Sequence, residues 1–322
     1  MYPFFSILIP VYNAEKTIEH CLKAIKNQNY DNYEVVIIDD GSTDNSYEIL
    51  HGYAEVDSHI KVLKQDNKGV AYTRQQLVSK AIGDYILFCD ADDYMEKNAL
   101  HTMALAIANS GADVIICGFQ IETSSGSKKI LCSALQSGVY TKDVYSQYHV
   151  KNLTDLYWSA LWNKCYKKNI FNQPTEIQFS KTMEDVICNV EILGRANSVY
   201  IEHSIVYHYV QIGQSLTRND QKDSETKILE ALQAYQLLEM KLKKYYPGEN
   251  RNIERYIYGR YLCSMYRGGR LHNKKIQNDI KYLIKEKHLK KQIGIGGVLS
   301  EVINYKTDIA KSKLKQLLRL FR

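Results

Sequence analysis

The chain has 322 residues, of which 45% are hydrophobic and 24% charged, and its formal net charge is +6. This balance is typical of a globular protein with a sizeable core. Six of the seven charged residues in 306–322 are Lys or Arg. The positive charge therefore belongs to one tail, which argues against a nucleic-acid partner.

The seven cysteines are scattered and include no C-x-x-C pair. Neither a zinc knuckle nor a disulfide framework is indicated, and we expect a cytoplasmic location. The apolar start, MYPFFSILIPVYN, lacks a basic region and a cleavage site. We interpret it as a first strand rather than a signal peptide. No run approaches the roughly 20 apolar residues of a membrane-spanning helix.

Short apolar runs alternate with amphipathic helical patterns over the first 120 residues. The predicted strands are 6–11, 33–38, 60–63, 85–89 and 113–118. The predicted helices are 17–27, 46–54, 69–81 and 98–109. Such alternation predicts an α/β fold with a mostly parallel, twisted sheet flanked by helices, of the doubly wound (Rossmann-like) type.

The pattern changes after residue 120. We predict a hairpin over 126–140, a helix headed by Glu184 and Asp185 within 179–195, and a strand or strand pair over 199–210. Residues 156–166 are aromatic and apolar and are assigned no element. Helical periodicity then dominates over 226–245, 253–266 and 276–285. We therefore predict one domain over 1–220 and a helical C-terminal region over 221–322.

Acidic clusters follow two of the predicted strands. Asp39 and Asp40 follow the second strand, and Asp90, Asp92 and Asp93 follow the fourth. Carboxylates at the end of a buried strand need a cationic partner. In an extended strand Asp90 and Asp92 point to the same side, where two carboxylates together with phosphate oxygens suit Mg²⁺ or Mn²⁺. The alternative is an acidic turn that caps a helix beginning near residue 96. Because ligands bind beyond the carboxyl ends of such strands, we expect one site built from several strand ends.

Six segments carry the polar residues at these strand ends and farther along. They are PVYN (10–13), IDDGSTD (38–44), Asn67-Lys68-Gly69 with Arg74, LFCDADD (87–93), WNK (162–164) and MED (183–185). In this order and spacing they resemble the family 2 glycosyltransferases of the GT-A fold, of the bacterial surface-polysaccharide type. The resemblance implies inverting transfer of one hexose or N-acetylhexosamine from a UDP-sugar, with Mn²⁺ or Mg²⁺. The acceptor it implies is a saccharide, a lipid-linked saccharide or a glycoprotein.

The resemblance also implies roles for individual residues. The implied nucleotide-sugar-binding set is Pro10, Val11, Tyr12, Glu15, Asp39, Asp40, Asn67, Lys68, Gly69, Arg74, Asp90, Ala91 and Asp92. Within this set, Asp40 corresponds to the residue that hydrogen-bonds the uracil N3–H, and Asp92 with Asp90 to the metal ligands. Asp185 corresponds to the general base, and Glu184 to its catalytic neighbour. The alternative for these two acids is ordinary complementation of a helix dipole.

Three further residues are candidates at the sugar or the metal. Asp93 is expected to orient a sugar hydroxyl, and Trp162 to stack on a sugar, with a core tryptophan as the alternative. His208, between two tyrosines, is a candidate metal ligand, although a lone histidine on a strand is more often structural.

Arg74 is expected near the diphosphate, with a solvated surface arginine as the alternative.

The chain also departs from the family pattern. Val210, Gln211 and Ile212 stand where many relatives carry arginines, while Ser215 is kept and Arg218 is a possible substitute. A second hypothesis is therefore a non-catalytic glycosyltransferase-like subunit that supports a partner enzyme. A nucleotidyltransferase needs a glycine-rich loop after strand one, which PVYNAEKT does not supply.

The tail 306–322 predicts a basic amphipathic helix. Its apolar residues share one broad side; they are Ile309, Leu314, Leu317, Leu318 and Phe321. Such a helix is typical of peripheral attachment to a membrane surface, here the inner face of the cell membrane. Packing of the tail on the domain is the alternative. The sequence leaves the donor sugar, the acceptor and the oligomeric state open, a homo-oligomer included.

Overall fold

The computed structural model describes residues 2–153, 155–171, 183–211 and 225–249. Contacts within the chain divide it into two units between Gln221 and Lys222. The described part of the second unit is one helix, Glu225–Tyr245, with the short 3₁₀ turn Pro247–Glu249. The helices predicted over 253–266 and 276–285, the tail 306–322, and the loop positions Ile212, Ser215 and Arg218 lie outside the described residues.

The described strands and helices follow one another along the chain in mixed order, with all but the helix Glu225–Tyr245 in the first unit. The strands are β1 (Phe5–Val11), β2 (Tyr33–Asp39), β3 (Ile60–Lys64), β4 (Tyr85–Phe88), β5 (Tyr94–Met95), β6 (Val114–Thr123), β7 (Lys128–Leu131), β8 (Gly138–Thr141), β9 (Lys164–Lys167) and β10 (Ser198–Gln211). The helices are α1 (Ile18–Lys26), α2 (Ser46–Val56), α3 (Val70–Lys80), α4 (Ala99–Ser110), α5 (Lys142–Lys151), α6 (Leu156–Ser159), α7 (Glu184–Arg195) and α8 (Glu225–Tyr245).

The described strands form one sheet with the order β3-β2-β1-β4-β9-β6-β10-β5, while β7 pairs with β6 and β8 with β10. Strand β1 is parallel to β2 and β4, and β2 is parallel to β3. Strand β9 lies antiparallel between β4 and β6. The sheet is therefore mixed: β1 to β4 are parallel to one another and β10 is parallel to β6, as predicted, while β5, β7, β8 and β9 pair antiparallel with their neighbours. Strand β9, which lies between the two parallel groups, is a four-residue strand inside an aromatic run whose composition indicated no element.

The hydrophobic core lies between this sheet and its helices. In α1, the buried residues are Ile18, Cys21, Leu22 and Ile25, the spacing that places apolar side chains on one helix face. Strand β1 is buried along almost all of its length, as expected for a strand covered on both faces. No helix among the residues that the structure describes is long and apolar enough to cross a bilayer.

The topology places three strand ends at one edge of the sheet. Because β1, β2 and β4 are mutually parallel neighbours, their carboxyl ends lie side by side. Those ends carry Tyr12, Asp40 and Asp90, each from a different predicted segment. The site is built around this edge.

Candidate active site

Arg74, near the start of α3, lies between the loop 90–93 and the start of α7. Its Nη2 donates to Asp90 Oδ1 at 2.9 Å. Its Nη1 donates to Glu184 Oε1 at 2.6 Å and to Asp185 Oδ1 at 2.5 Å. Only 7% of Arg74 is exposed, so these carboxylates replace the water that a buried guanidinium loses. We call the four side chains the Arg74 cluster; they rule out a solvated surface arginine at this position.

Burial and charge act against each other on the pKa values of the Arg74 cluster. Burial lowers the pKa of Arg74, but the charges of the three carboxylates outweigh it and raise that pKa well above its ordinary value. Burial raises the pKa of Glu184 to about 7, against the opposing charge of Arg74. It raises the pKa of Asp185 as well. A carboxylate with a raised pKa is a better proton acceptor near neutral pH.

Helix α7 begins at Glu184, directly after a residue with unusual backbone geometry. Met183, its N-cap, has a φ of 64°, in the left-handed region that non-glycine residues rarely adopt. Conformations of this kind cost roughly 1–3 kcal/mol and cluster at functional sites. Both acids of the MED segment reach Arg74, so they do more than complement the helix dipole.

The loop 90–93, which we call the acid loop, holds the predicted metal ligands. Asp92 is exposed, and partial desolvation together with the neighbouring charge of Asp90 raises its pKa. The next helix begins at Ala99 with Asn98 as its N-cap, so the alternative that the acid loop caps a helix near residue 96 is wrong.

The acid loop fits a divalent cation only together with ligand oxygens. Among the described residues, no group of three or more His, Cys, Asp or Glu side chains is arranged to hold a metal ion. Asp90 and Asp92 supply two carboxylates, and Mg²⁺ is commonly bound by one or two carboxylates plus substrate phosphates. A cation would also relieve the repulsion that raises the pKa of Asp92. The donor set therefore fits Mg²⁺ or Mn²⁺ held jointly with a diphosphate.

Asp93 is a structural residue, which contradicts the prediction that it orients a sugar hydroxyl. It is 1% exposed. Its Oδ1 accepts from the Val210 N–H at 2.8 Å and its Oδ2 from the Tyr207 hydroxyl at 3.0 Å. The Tyr207 hydroxyl in turn accepts from the Asp90 N–H at 3.0 Å. Asp93 and Tyr207 thus tie the acid loop to β10, an arrangement that no pattern in the sequence indicated.

Trp162 is likewise a core residue, so the prediction that it stacks on a sugar is wrong and its alternative is correct. The side chain is 4% exposed. Its ring stacks on Tyr207 at 4.6 Å and on Tyr209 at 5.4 Å between centroids, and Phe119 meets it edge-on at 4.6 Å. The indole is therefore packed against three rings of the protein itself.

His208 is held by protein groups and not by the acid loop. Its Nε2 lies 2.8 Å from Glu96 Oε2 and its Nδ1 lies 3.2 Å from Glu122 Oε1. Its ring stacks on Tyr94 at 4.3 Å. Because both ring nitrogens face carboxylates, His208 joins β5 to β6 and β10, and the candidate metal role does not apply.

At the end of β2, Asp40 supports the loop before α3. Its Oδ1 accepts from the Lys68 N–H at 2.8 Å and from Gln65 Nε2 at 2.7 Å, and its Oδ2 accepts from the Gly69 N–H at 2.8 Å. Protein donors thus occupy three of the roughly four acceptor positions on a carboxylate. Asp39, also buried, accepts from the Ser42 N–H. The contact between Asp40 and uracil stays a prediction.

Close backbone contact joins the turn after β2 to the same loop. Gly41 has a φ of +74°, and a Cβ at this position would lie 2.8 Å from the Asn67 backbone nitrogen. Glycine alone meets both conditions. Two segments that are separate in sequence, IDDG and NKG, therefore form one surface.

The turn after β1 completes this edge. Glu15 Oε2 accepts from the Asn45 N–H at 3.1 Å, and Asn13 Oδ1 accepts from the Thr43 N–H at 2.8 Å. The remaining predicted nucleotide residues differ in exposure. Val11 and Ala91 are buried, Pro10 and Gly69 are half-buried, and Tyr12, Asn67 and Lys68 are exposed. The exposed three are the members of this group that present the most surface to a ligand.

The comparison with known proteins identifies the family. The model of Glycosyl transferase family 2 matches residues 6–177. The chain belongs to this family. EpsH of Bacillus subtilis is 30% identical over 213 residues, which are 64% of this chain and 60% of EpsH. The glycosyltransferase GlyA of Streptococcus pneumoniae is 28% identical over 221 residues, 66% of this chain and 31% of GlyA. The chain thus spans less than two thirds of either relative.

Two solved structures share the fold of this glycosyltransferase. Residues 1–349 of S. aureus TarS match with a TM-score of 0.64 and 19% identity, over 97% of this chain and 88% of that chain. A second match is the mannosyltransferase PcManGT from Pyrobaculum calidifontis, with a TM-score of 0.52 and 15% identity, over 99% and 85% of the two chains. The fold is GT-A, as predicted.

Proposed function

We propose that this family 2 glycosyltransferase is an inverting enzyme that moves one hexose or N-acetylhexosamine from a UDP-sugar to an acceptor hydroxyl. The Arg74 cluster carries the proposal. One guanidinium contacts Asp90, from the acid loop, and Asp185, from α7. Asp90, expected at the metal and the nucleotide-sugar, and Asp185, the predicted base, therefore contact the same guanidinium.

Asp185 is the proposed general base. The acceptor oxygen forms its bond to the anomeric carbon as the bond from that carbon to the diphosphate oxygen breaks. The hydroxyl proton goes to Asp185 on the face opposite the leaving group, and this geometry inverts the anomeric centre. The raised pKa of Asp185 favours proton uptake, and Arg74 orients the carboxylate.

Asp92 and Asp90 are the proposed holders of Mn²⁺ or Mg²⁺. A bound ion would neutralise the charge that develops on the leaving diphosphate. PcManGT is known in complex with GDP-Man and Mn²⁺, which supports a divalent cation in a protein of this fold. Asp93 and Tyr207 keep the acid loop in place by tying it to β10.

A UDP-sugar is the proposed donor. TarS 1–349 is known in complex with UDP-GlcNAc, and the exposed Tyr12, Asn67 and Lys68 surround the strand ends where a nucleoside would bind. The proposed acceptor is a saccharide that is free, linked to a lipid or attached to a glycoprotein. We also propose that residues 1–220 form the catalytic domain and that 306–322 attach the protein to the inner face of the cell membrane.

The decisive experiment measures UDP release and product stereochemistry. The full chain is incubated with Mn²⁺ or Mg²⁺ and each member of a UDP-sugar panel, and UDP is quantified with and without acceptor mixtures. We expect release with at least one sugar, loss of release on chelation, and an inverted anomeric proton signal by NMR. Tight UDP-sugar binding with no release from any sugar would favour the non-catalytic subunit instead. A retained anomeric configuration would refute the base mechanism.

A further inference from the structure

Lys164, in the WNK segment, is a buried cation that the proposed mechanism does not use. It is 0% exposed. Its Nζ donates to the carbonyl oxygens of Tyr157 at 2.9 Å and Ala160 at 2.5 Å, and to Asn163 Oδ1 at 2.7 Å. All three partners are acceptors, and an ammonium has three N–H groups to give. The geometry thus matches the charged form of the side chain.

The helix that carries the proposed base reaches the same turn. Asn189 of α7 is 0% exposed, and its Nδ2 donates to the carbonyl oxygens of Ser159 at 2.5 Å and Ala160 at 3.0 Å. The Ala160 carbonyl therefore accepts from Lys164 and from α7 at once. Asp185 lies four residues before Asn189, on the same helix face. This face is the one directed at the turn that Lys164 holds.

We propose that Lys164 is a positioning residue for Asp185. Its ammonium secures the turn 157–160 against α7, and its positive charge favours the ionised form of the base. The inference rests on the proposed function, in which Asp185 accepts the proton.

The electrostatics of the two groups agree with this geometry. Burial raises the pKa of Asp185, while Arg74 and, to a smaller extent, Lys164 lower it. Burial lowers the pKa of Lys164 to about 7, against the charge of Asp185. Below about pH 7, Lys164 is therefore mostly charged and favours the ionised form of Asp185.

Other titratable groups face the pair from the surrounding elements. Those that act on Asp185 are Arg74 of α3, Asp90 of the acid loop, Glu184 of α7 and Tyr166 of β9. Those that act on Lys164 are Cys117 of β6, Asp155 before α6 and His149 of α5. Arg74 is shared among three carboxylates, so removal of Lys164 leaves a clear deficit of positive charge around Asp185 among the described groups.

The test compares Lys164→Gln and Lys164→Met with wild type in kcat, in KM for the UDP-sugar and in the pH profile of kcat. We expect kcat to fall about 10-fold to 100-fold, as a misplaced catalytic group would cause, with KM changed far less. We expect the acid limb of the profile to move up by roughly one pH unit, because Asp185 loses a neighbouring cation. Lys164→Gln keeps a polar donor, so the same kinetic measurements can be made on it if Lys164→Met does not fold.

Asn189→Ala is the matched control. It removes two donors to the same turn but no charge, so it should lower Tm and leave the acid limb in place. An unmoved acid limb in both Lys164 variants, with only Tm lowered, would overturn the inference and leave Lys164 a structural residue.

A second measurement does not depend on turnover. A double-mutant cycle of Lys164→Gln and Asp185→Asn on the free energy of unfolding near pH 6 should give a favourable coupling between the two side chains. Zero coupling would overturn the inference even in an active enzyme. A clear coupling in a protein that releases no UDP would instead show that the proposed function, and not this contact, is at fault.

Discussion

The carboxylates of the candidate site fall into two groups that are held in different ways. Asp40 and Asp93, at the strand ends, accept hydrogen bonds from backbone N–H groups and neutral side chains. Glu184 and Asp185, at the start of α7, accept theirs from the charged guanidinium of Arg74. Backbone donors fix the first pair in place, whereas the second pair shares one guanidinium, whose charge lowers the pKa values of Glu184 and Asp185 against the larger effect of burial. The first group forms the framework and the second is suited to proton transfer.

The largest expected effect comes from the second group. Asp185→Asn should lower the transfer rate by about 10²-fold to 10⁴-fold, because the amide cannot accept the acceptor's proton. Binding of UDP, measured by calorimetry, should be nearly unchanged. The exposed Asp143→Asn is the matched control for the same chemical change. Transfer at the wild-type rate in Asp185→Asn would refute the assignment of the base.

The acid loop should show the next largest effect. Asp92→Ala should remove activity and its dependence on added Mn²⁺ together, because one of the two carboxylates that fit a cation is lost. Activity is measured across a titration of Mn²⁺ and of a chelator, with the exposed Asp31→Ala as control. A variant that stays active and resists the chelator would argue against a metal role for Asp92.

A framework acid should act on stability and not on sugar recognition. Asp93→Asn places an amide where two donors now converge, so one buried donor loses its acceptor. We expect the free energy of unfolding to fall by about 1–3 kcal/mol, measured by denaturant titration. A sugar-binding role would instead appear as a raised KM in a fully stable variant, and that result would restore the original prediction for Asp93.

The smallest expected effect concerns folding stability as a function of pH, to which Glu184 and Glu122 should contribute with opposite signs. The folded state raises the pKa of Glu184 to about 7, so it retains a proton that the unfolded chain releases, and stability falls as pH rises from 4.5 towards 7. Glu122 is the opposite case. Desolvation would raise its pKa, but hydrogen bonds from Lys128, Tyr94, Gln120 and His208 lower it to about 2.

Stability from Glu122 is therefore lost as pH falls from 4.5 towards 2. Thermal unfolding of Glu184→Gln and Glu122→Gln against wild type over both pH ranges checks the two slopes. Differences between wild type and variant that slope with the same sign for Glu184 and Glu122 would contradict the opposite pKa shifts of these two acids.

The sequence by itself determined the first half of the sheet and the positions of the acids. Periodicities of two and 3.6 residues report which side chains are buried, so β1 to β4 and α1 to α4 follow from local pattern. Strand ends meet at one edge in any parallel sheet, which is why Asp40 and Asp90 were expected together.

Tertiary structure alone decided what those side chains contact. Asp93 and Trp162 were expected at a sugar, but their partners Val210 and Tyr207 lie far away in the sequence and bury both. The role inferred for Lys164 depends in the same way on the turn 157–160 and on α7. A hydrogen bond between distant segments leaves no periodic trace in the chain, because it depends on which strands become neighbours and not on the spacing of residues within one of them.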